Sequence, residues 1–262
     1  MLLRLVASAV VLSTSLVPLA AQTGDESRLV VGMSVGYIGD ADLWSVSNQP
    51  IPASGNQTDL FDLDRRLRSN ITVNGQVTYF PKPNLGFTGE IGYTGLGTDD
   101  SCRLARTSGD FSNEQACIAI NQLERSASAI NLLGGVTFRA ASRSAIQPYA
   151  RVLVGFSLVP RNTIELAPVF GEFENTLLPI YLSDGSSDVK PTGALAIGFA
   201  TSPNGGSQFR VELRGTWVRL SSVDGPSTEL GVVPPHSSRF VLVPSLTIGF
   251  DIVLEKRRGR RY

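Results

Sequence analysis

One histidine and the two serines after it are the residues whose spacing best suits hydrolytic chemistry. His236 is the single histidine of the chain, and Ser237 and Ser238 follow it directly. A serine nucleophile needs an adjacent imidazole as base and a third group that orients the imidazole. Glu229 is the nearby upstream carboxylate, and Glu255 belongs at the far end of the strand predicted to follow. A lone histidine in a Pro- and Ser-rich loop is usually solvated, so we expect no catalytic residue here.

Cysteines and clustered acids are the other candidates for chemistry. Cys102 and Cys117 lie in a polar, Asp/Ser/Asn-rich segment with no histidine partner, which disfavours zinc and haem sites. In an exported chain such a pair predicts a loop disulfide, with a redox-active thiol as the alternative. Asp59, Asp62 and Asp64 are candidates for binding a divalent cation, but they lack the EF-hand pattern. Because scattered loop acids usually serve solubility, we expect no metal and no cofactor.

Composition narrows the class of protein. The chain has 262 residues, of which 42% are hydrophobic and 18% charged, with 26 glycines, which excludes a coiled coil, a collagen-like repeat and a disordered tail. The formal net charge is zero, but five of the last seven residues are basic. The remaining exported chain is therefore acidic, and a nucleic-acid partner is not expected.

The amino terminus has the pattern of an export signal. Positions 1–4 carry a positive charge, positions 5–16 are apolar, and small residues precede position 22. This pattern predicts a cleaved signal peptide over residues 1–21, because the apolar stretch is too short for a membrane anchor. We assign residues 22–254 to a β-barrel and residues 255–262 to a basic tail.

Eight segments of period-two alternation predict long β-strands. They lie at about 29–38, 69–80, 85–95, 126–139, 148–158, 191–201, 208–219 and 239–252. Their connections alternate between long and short, which predicts an all-β, antiparallel up-and-down transmembrane barrel of eight strands. In the long connection 159–190, Pro168 and Pro179 interrupt two apolar pieces. We predict a hairpin above the membrane there, with two further barrel strands, ten in all, as the alternative.

The two faces of these segments differ in polarity. One set of side chains is apolar on every segment, as a lipid-facing surface requires, since each Arg or Lys at the bilayer midplane costs about 2–4 kcal/mol. The opposite set is polar and contains six charged side chains, namely Glu90, Arg151, Arg210, Glu212, Arg214 and Asp251. An eight-stranded barrel is narrow, so we predict that these charges pair inside the lumen and close it. A gate or a narrow polar conduit is the alternative.

Aromatic residues concentrate at both ends of the strands, as they do at the two headgroup levels of a bilayer. The predicted girdle contains Tyr37, Tyr93, Phe138, Phe156, Phe199, Phe209, Trp217, Phe240 and Phe250. We also place Tyr79, Phe80, Phe87 and Tyr149 with the aromatics at the short-turn ends.

The end of the last strand carries the most specific motif. Thr247, Gly249, Ile252 and Leu254 have the spacing of the signal that the barrel-assembly machinery reads in outer-membrane proteins. With its eight-strand layout, the chain resembles the small bacterial outer-membrane β-barrels, a group that includes the OmpA transmembrane domain, OmpX and OmpW-type proteins. The motif departs from that pattern in having Leu254 and a basic tail where a terminal aromatic is usual.

The resemblance implies a bacterial outer-membrane location and partners among outer-membrane lipids, lipopolysaccharide and the assembly machinery, while any loop ligand stays unknown. It implies a non-enzymatic protein with a structural, adhesive or narrow-passage role. One alternative is an OmpW-like conduit for small hydrophobic molecules. A second, which the resemblance makes possible through His236 and its serines, is a lipid A deacylase-like hydrolase.

Overall fold

The computed structural model describes residues 28–140, 144–159, 163–170, 176–185, 189–201 and 206–255. The predicted signal peptide and residues 256–262 of the basic tail lie outside these ranges. Among the described residues, no helix is long and apolar enough to cross a membrane.

Eight strands form a closed antiparallel barrel, in which each strand pairs with its neighbours in chain order and the last pairs with the first. They are β1 (Arg28–Ile38), β4 (Asn70–Lys82), β5 (Leu85–Gly95), β8 (Ser128–Arg139), β9 (Ile146–Leu158), β12 (Val189–Thr201), β13 (Ser207–Val223) and β14 (His236–Glu255). The predicted eight-stranded barrel is confirmed, and the ten-stranded alternative is wrong. We call the end with the short connections the turn end and the opposite end the loop end.

The outer surface of the barrel is apolar along each strand. Outward side chains such as Met33, Val154 and Ile248 are 61–66% exposed, while their neighbours in sequence point inward and are buried. Such a continuous apolar exterior has no counterpart on a water-soluble monomer. It is the exterior of a barrel that crosses a lipid bilayer, and closure leaves no strand edge unpaired in the lipid.

The first two long connections fold into a second sheet, which we call the loop sheet. Its strands are β2 (Ala41–Ala53), β3 (Gln57–Leu67), β6 (Thr98–Arg106) and β7 (Glu124–Arg125), in that order, with helix α1 (Phe111–Asn121) beside β6. The predicted long connections are present, and the sheet and helix that they form were not predicted from the sequence. The third long connection contains the hairpin β10 (Val169–Phe170) and β11 (Thr176–Leu177), paired with each other outside the barrel.

A hydrophobic core joins the loop sheet to the barrel. Its largest members include Trp44 and Phe61 from the loop sheet and Tyr181 from the third connection, each at most 3% exposed. The same cluster continues into inward residues at the loop end of the barrel, including Ile38 and Val243. The loop sheet therefore covers the loop end of the lumen.

A disulfide and one asparagine fix α1 to the loop sheet. Cys102 of β6 is bonded to Cys117 of α1, with their Cα atoms 5.3 Å apart. Asn121 accepts a hydrogen bond from the Cys102 backbone N–H at 2.8 Å and donates one to its carbonyl at 3.0 Å. The Asn121 side chain thus occupies the place of a neighbouring strand at Cys102, beyond the short pairing of β6 with β7.

Candidate functional site

The lumen gathers the charged residues that the alternation pattern assigned to it. Every one of the six is at most 6% exposed, and all of them lie on the inner face of the barrel. They come from four strands, since Glu90 lies on β5, Arg151 on β9, Asp251 on β14 and the other three on β13. Each is inward because strand side chains alternate with a period of two.

Four of these residues form one ion-pair network near the middle of the barrel. Arg214 Nη2 lies 2.7 Å from Glu90 Oε1, and Arg151 Nη1 lies 3.7 Å from Glu90 Oε2 and 3.4 Å from Glu212 Oε2. The Tyr149 hydroxyl donates to Glu212 Oε2 at 2.9 Å. Each carboxylate thus faces two cations, as buried charges require if they are to stay ionised.

A second group surrounds Asp251, nearer the turn end. Arg210 Nη1 lies 3.6 Å from Asp251 Oδ1, and Gln208 Nε2 donates to Asp251 Oδ2 at 3.0 Å. Gln76 connects the two groups, because its amide donates to Asp251 at 3.4 Å and its carbonyl accepts from Arg151. The lumen side chains therefore form one polar network that links opposite walls of the barrel.

Glycines on the inner face make room for this network. A Cβ at Gly198 would lie 2.6 Å from the Tyr149 hydroxyl, and one at Gly249 would lie 2.8 Å from Arg210 Nη2. A side chain at either position would displace a member of the network. The barrel wall is therefore shaped around these large polar groups.

Two small cavities adjoin the network in the lumen. One cavity of about 20 Å³ lies on the loop side, beside Glu90 and Arg214, and another of about 20 Å³ lies on the turn side, beside Arg151 and Arg210. A cavity of this size holds about one water molecule. The ion-pair network lies between the two cavities and separates them.

Three inward residues at the turn end were missed or misplaced by the sequence analysis. Phe80 and Tyr149, expected with the outer aromatics, are only 4% and 8% exposed and face the lumen. Arg139 also faces inward and stacks on the Phe80 ring, with 3.9 Å between its guanidinium carbon and the ring centroid. Strand alternation alone places all three inward, because residues two positions apart share a face. Phe80 lies two positions from Thr78, Tyr149 two from Arg151 and Arg139 two from Thr137, and these three partners are buried.

The nine girdle aromatics all lie on the outer surface, from 37% exposed at Trp217 to 61% at Phe209.

In the assembly motif, Thr247 points inward at 2% exposure, while Ile252 and Leu254 point outward and are about half exposed. The girdle and the assembly signal stay predictions as to role.

The inner face of the loop sheet contains a buried ion pair. Arg65 of β3 lies in register with Asp100 of β6, and its guanidinium bonds both carboxylate oxygens, the longer bond being 2.8 Å. Arg65 also donates to the carbonyls of Thr163 at 2.8 Å and Glu165 at 2.9 Å, in the third connection. The Trp44 ring lies beside it, 5.1 Å from the guanidinium carbon. One side chain thus ties the first three long connections together.

The three aspartates considered for a cation lie on different faces of β3. Asp59 points to the buried face, where Asn113 donates to it at 2.8 Å, while Asp62 and Asp64 are on the opposite face. Asp62 pairs with Arg103 at 2.6 Å. Because strand alternation separates them, they do not form one ligand set, and no group of three metal-binding side chains occurs in the described ranges.

Hydrogen bonds lower the pKa of two of these carboxyls. Burial alone would raise the pKa of Asp59, but hydrogen bonds from Asn113 and Ser108 outweigh it and hold the pKa below its ordinary value. The hydrogen bond from Arg103 lowers the pKa of Asp62. Both carboxylates therefore stabilise the loop sheet in their ionised form.

His236 is not arranged as the base of a serine nucleophile. Its Nδ1 lies 2.9 Å from the Pro234 carbonyl oxygen, and its Nε2 lies 3.8 Å from Asp184 Oδ2. Ser237 donates its hydroxyl hydrogen to Asp224 Oδ1 at 2.7 Å. The Ser–His hydrogen bond of nucleophilic catalysis is thus not formed by Ser237, whose hydroxyl is used elsewhere.

Comparison with known proteins finds likeness to solved outer-membrane proteins. The outer membrane protein AlkL matches with 15% identity and a TM-score of 0.43, covering 94% of this chain and 99% of that one. OprG from Pseudomonas aeruginosa matches with 15% identity and a TM-score of 0.43, covering 90% and 99%. Neisserial surface protein A matches with 7% identity and a TM-score of 0.40, covering 86% and 96%. No protein-family model and no curated protein gives a significant match.

The strand order and the direction of the side chains identify the fold without these matches. Eight antiparallel strands close in chain order, the exterior is apolar and the interior is polar. This is the architecture of the small eight-stranded outer-membrane β-barrels, as the sequence predicted.

Proposed function

We propose that this protein is a closed, non-enzymatic outer-membrane barrel that holds the loop sheet outside the cell as a structural or adhesive surface. The observation that carries the proposal is the filled interior. Buried ion pairs connect opposite walls of the lumen, and a hydrophobic core covers its loop end. Side chains nearly fill an eight-stranded barrel, so little space remains for a solute.

The properties of the loop sheet support a role in surface recognition. The disulfide ties α1 to the sheet, Arg65 ties the sheet to the third connection, and the shared hydrophobic core attaches it to the barrel. Its outer face carries charged side chains that are well exposed, with Arg103 at 82% and Arg66 at 63% exposure of the side chain. A rigid surface loses little conformational entropy when it binds a partner.

A conduit for small hydrophobic molecules has less support. The lumen cavity nearest the loop end, lined partly by Ile38, Leu96 and Val218, measures about 20 Å³. Sites for small organic ligands are usually about 300–1,000 Å³. Hydrolysis also has less support, because Ser237 donates its hydroxyl hydrogen to Asp224 and not to His236.

Conductance of the refolded protein in a planar bilayer tests the closed lumen. We expect an electrically silent protein whose insertion is verified by heat-modifiable gel mobility. R214Q, which leaves Glu90 with one cation, should raise the leak conductance, whereas the exposed-site control R103Q should not. Discrete openings of the wild-type protein that change in R214Q would contradict the closed lumen.

Adhesion of cells displaying the protein tests the role of the loop sheet. We expect wild-type cells to bind glycan or matrix-protein arrays above cells with an empty vector, and R66Q/R103Q cells to lose that binding with the barrel still heat-modifiable. Equal binding by wild-type and empty-vector cells would contradict the adhesive role, and the proposal would then reduce to a structural role.

A further inference from the structure

Among the barrel side chains whose burial the structure describes, the buried charges do not sum to zero. Four arginines are buried on the inner face of the barrel, namely Arg139, Arg151, Arg210 and Arg214, against the three carboxylates Glu90, Glu212 and Asp251. The network at the middle of the barrel contains two of each sign, because Arg151 and Arg214 face Glu90 and Glu212. The excess of buried positive charge therefore lies at the turn end, where Arg139 and Arg210 share Asp251 and the half-buried Arg28 adds a further positive charge that acts on Arg139.

Arg139 makes no ion-pair contact with a carboxylate among the described residues, and Asp251, which lines the same cavity, acts on its charge only from a longer distance. Its Nη1 donates to the neutral Gln147 Oε1 at 3.0 Å, and its guanidinium stacks on Phe80. Phe80 also packs with Val30 and Val253 in a small buried apolar cluster. Arg139 is 5% exposed, so water screens its charge little. A buried cation without a counterion is strongly unfavourable.

Arg139 and Arg210 line the same cavity, together with unused hydrogen-bond donors. Within the described part of the chain, Arg210 Nε and Nη1 and Arg151 Nε are buried without a hydrogen-bond acceptor. The arginines Arg139, Arg151 and Arg210 line the turn-side cavity, together with the hydroxyl-bearing Thr78 and Thr137. Asp251 and Gln208 also line it, and Gln208 Oε1 is an acceptor without a partner. The volume of about 20 Å³ suits one water-sized particle and is too small for a sulfate or phosphate.

We propose that the turn-side cavity binds one small monovalent anion, of the size of chloride, between Arg139 and Arg210. One negative charge balances the count of four arginines and three carboxylates. The anion also accepts hydrogen bonds from guanidinium groups that lack an acceptor. This site is independent of what the loop sheet binds and of whether the lumen conducts.

Thermal unfolding of the refolded full chain in detergent tests the site. Sodium chloride is compared with sodium gluconate at equal ionic strength, so that general screening is the same in both. Above the dissociation constant, each tenfold increase in chloride should raise the unfolding midpoint by about 3–5 °C, since a ligand that binds only the folded state stabilises it by mass action. An equal midpoint in the two salts would overturn the proposal.

Two variants locate the effect. R139Q removes the unpaired charge and should lose the chloride response, while R103Q removes an exposed charge from the loop sheet and should keep it. A full chloride response in R139Q would place the anion elsewhere and overturn the proposal. If R139Q does not fold, anomalous scattering from wild-type crystals grown in bromide shows where the anion binds. A bromide peak beside Arg139 and Arg210 supports the site, and bromide peaks confined to the exterior overturn it.

Discussion

Replacing Arg65 by methionine should open the loop sheet while the barrel stays closed. Methionine fills similar space but leaves the buried Asp100 with Arg125 as its cation, whose Nε lies 4.0 Å from Asp100 Oδ2. It also leaves the carbonyls of Thr163 and Glu165 without their donor. Removing one partner of a buried pair costs about 3–5 kcal/mol. The two carbonyls are only partly buried, so we assign the cost to Asp100 alone.

That free energy converts directly into susceptibility to proteolysis. When opening is fast relative to cleavage, the cleavage rate follows the population of the open form, at about 1.4 kcal/mol for each factor of ten. R65M should therefore be cleaved in the loop sheet faster than the wild type by a factor between about 10² and several thousand. Proteinase K is the suitable enzyme, because its cleavage does not depend on the arginine that is removed. Mass spectrometry maps the cleavage sites, and heat-modifiable mobility reports on the barrel.

Two further variants test whether the faster cleavage comes from breaking the buried Arg65–Asp100 pair or from the loss of any positive charge. R103Q removes the exposed partner of Asp62, a pair that is worth at most about 1 kcal/mol at the surface, and should accelerate cleavage less than tenfold. R65M/D100L replaces the whole pair with apolar groups and should recover much of the loss, as such replacements often do. An R65M cleavage rate within tenfold of the wild type would refute the reasoning. So would a barrel that loses heat resistance together with the loop sheet.

Reducing the Cys102–Cys117 bond, which spans 15 residues, should destabilise the loop sheet by about 3 kcal/mol and accelerate its proteolysis about 100-fold. An unchanged rate after complete reduction would contradict this. Because the pKa of Asp59 is lowered on folding, its stabilising effect is present above the unfolded pKa and is lost as the pH falls below about 4. Proteolysis of the loop sheet with an acid protease should therefore accelerate with falling pH in the wild type and less in D59N; equal acceleration in both would assign the effect to other groups. R214M, which leaves Glu90 underpaired, should lower the unfolding free energy of the barrel by about 3–5 kcal/mol, and an unchanged urea midpoint would show that this pair is not closed in the folded protein.

The barrel could be predicted because its pattern is local. Each strand repeats apolar and polar positions with a period of two, and the uneven charge on the two faces gives the direction of the side chains. Individual pairings could not be predicted, because Arg151 and Glu90 meet across a lumen whose strand register the sequence does not reveal. Arg139 was missed because it ends its strand, where basic side chains usually reach the headgroups.

The loop sheet could not be predicted for two physical reasons. Bulges shift the register of β2 between Asp42 and Trp44 and between Val46 and Gln49, so its alternation is broken. In β3 both faces carry charges, and the partner of Arg65 lies 35 residues away in another connection. A buried charged pair between distant segments produces no periodic pattern of apolar residues.

The pairing of β3 with β6 determines which part of this chain could be moved to another protein. β3 belongs to the connection before the hairpin β4–β5, and β6 belongs to the connection after it. Neither connection is a complete sheet alone, and grafting one of them would expose a strand edge and an unpaired Arg65 or Asp100. The shortest continuous stretch that contains the whole loop sheet is 41–125, which is two surface segments together with the barrel hairpin between them. A vaccine scaffold or surface-display carrier made from this protein would have to exchange that stretch as a whole.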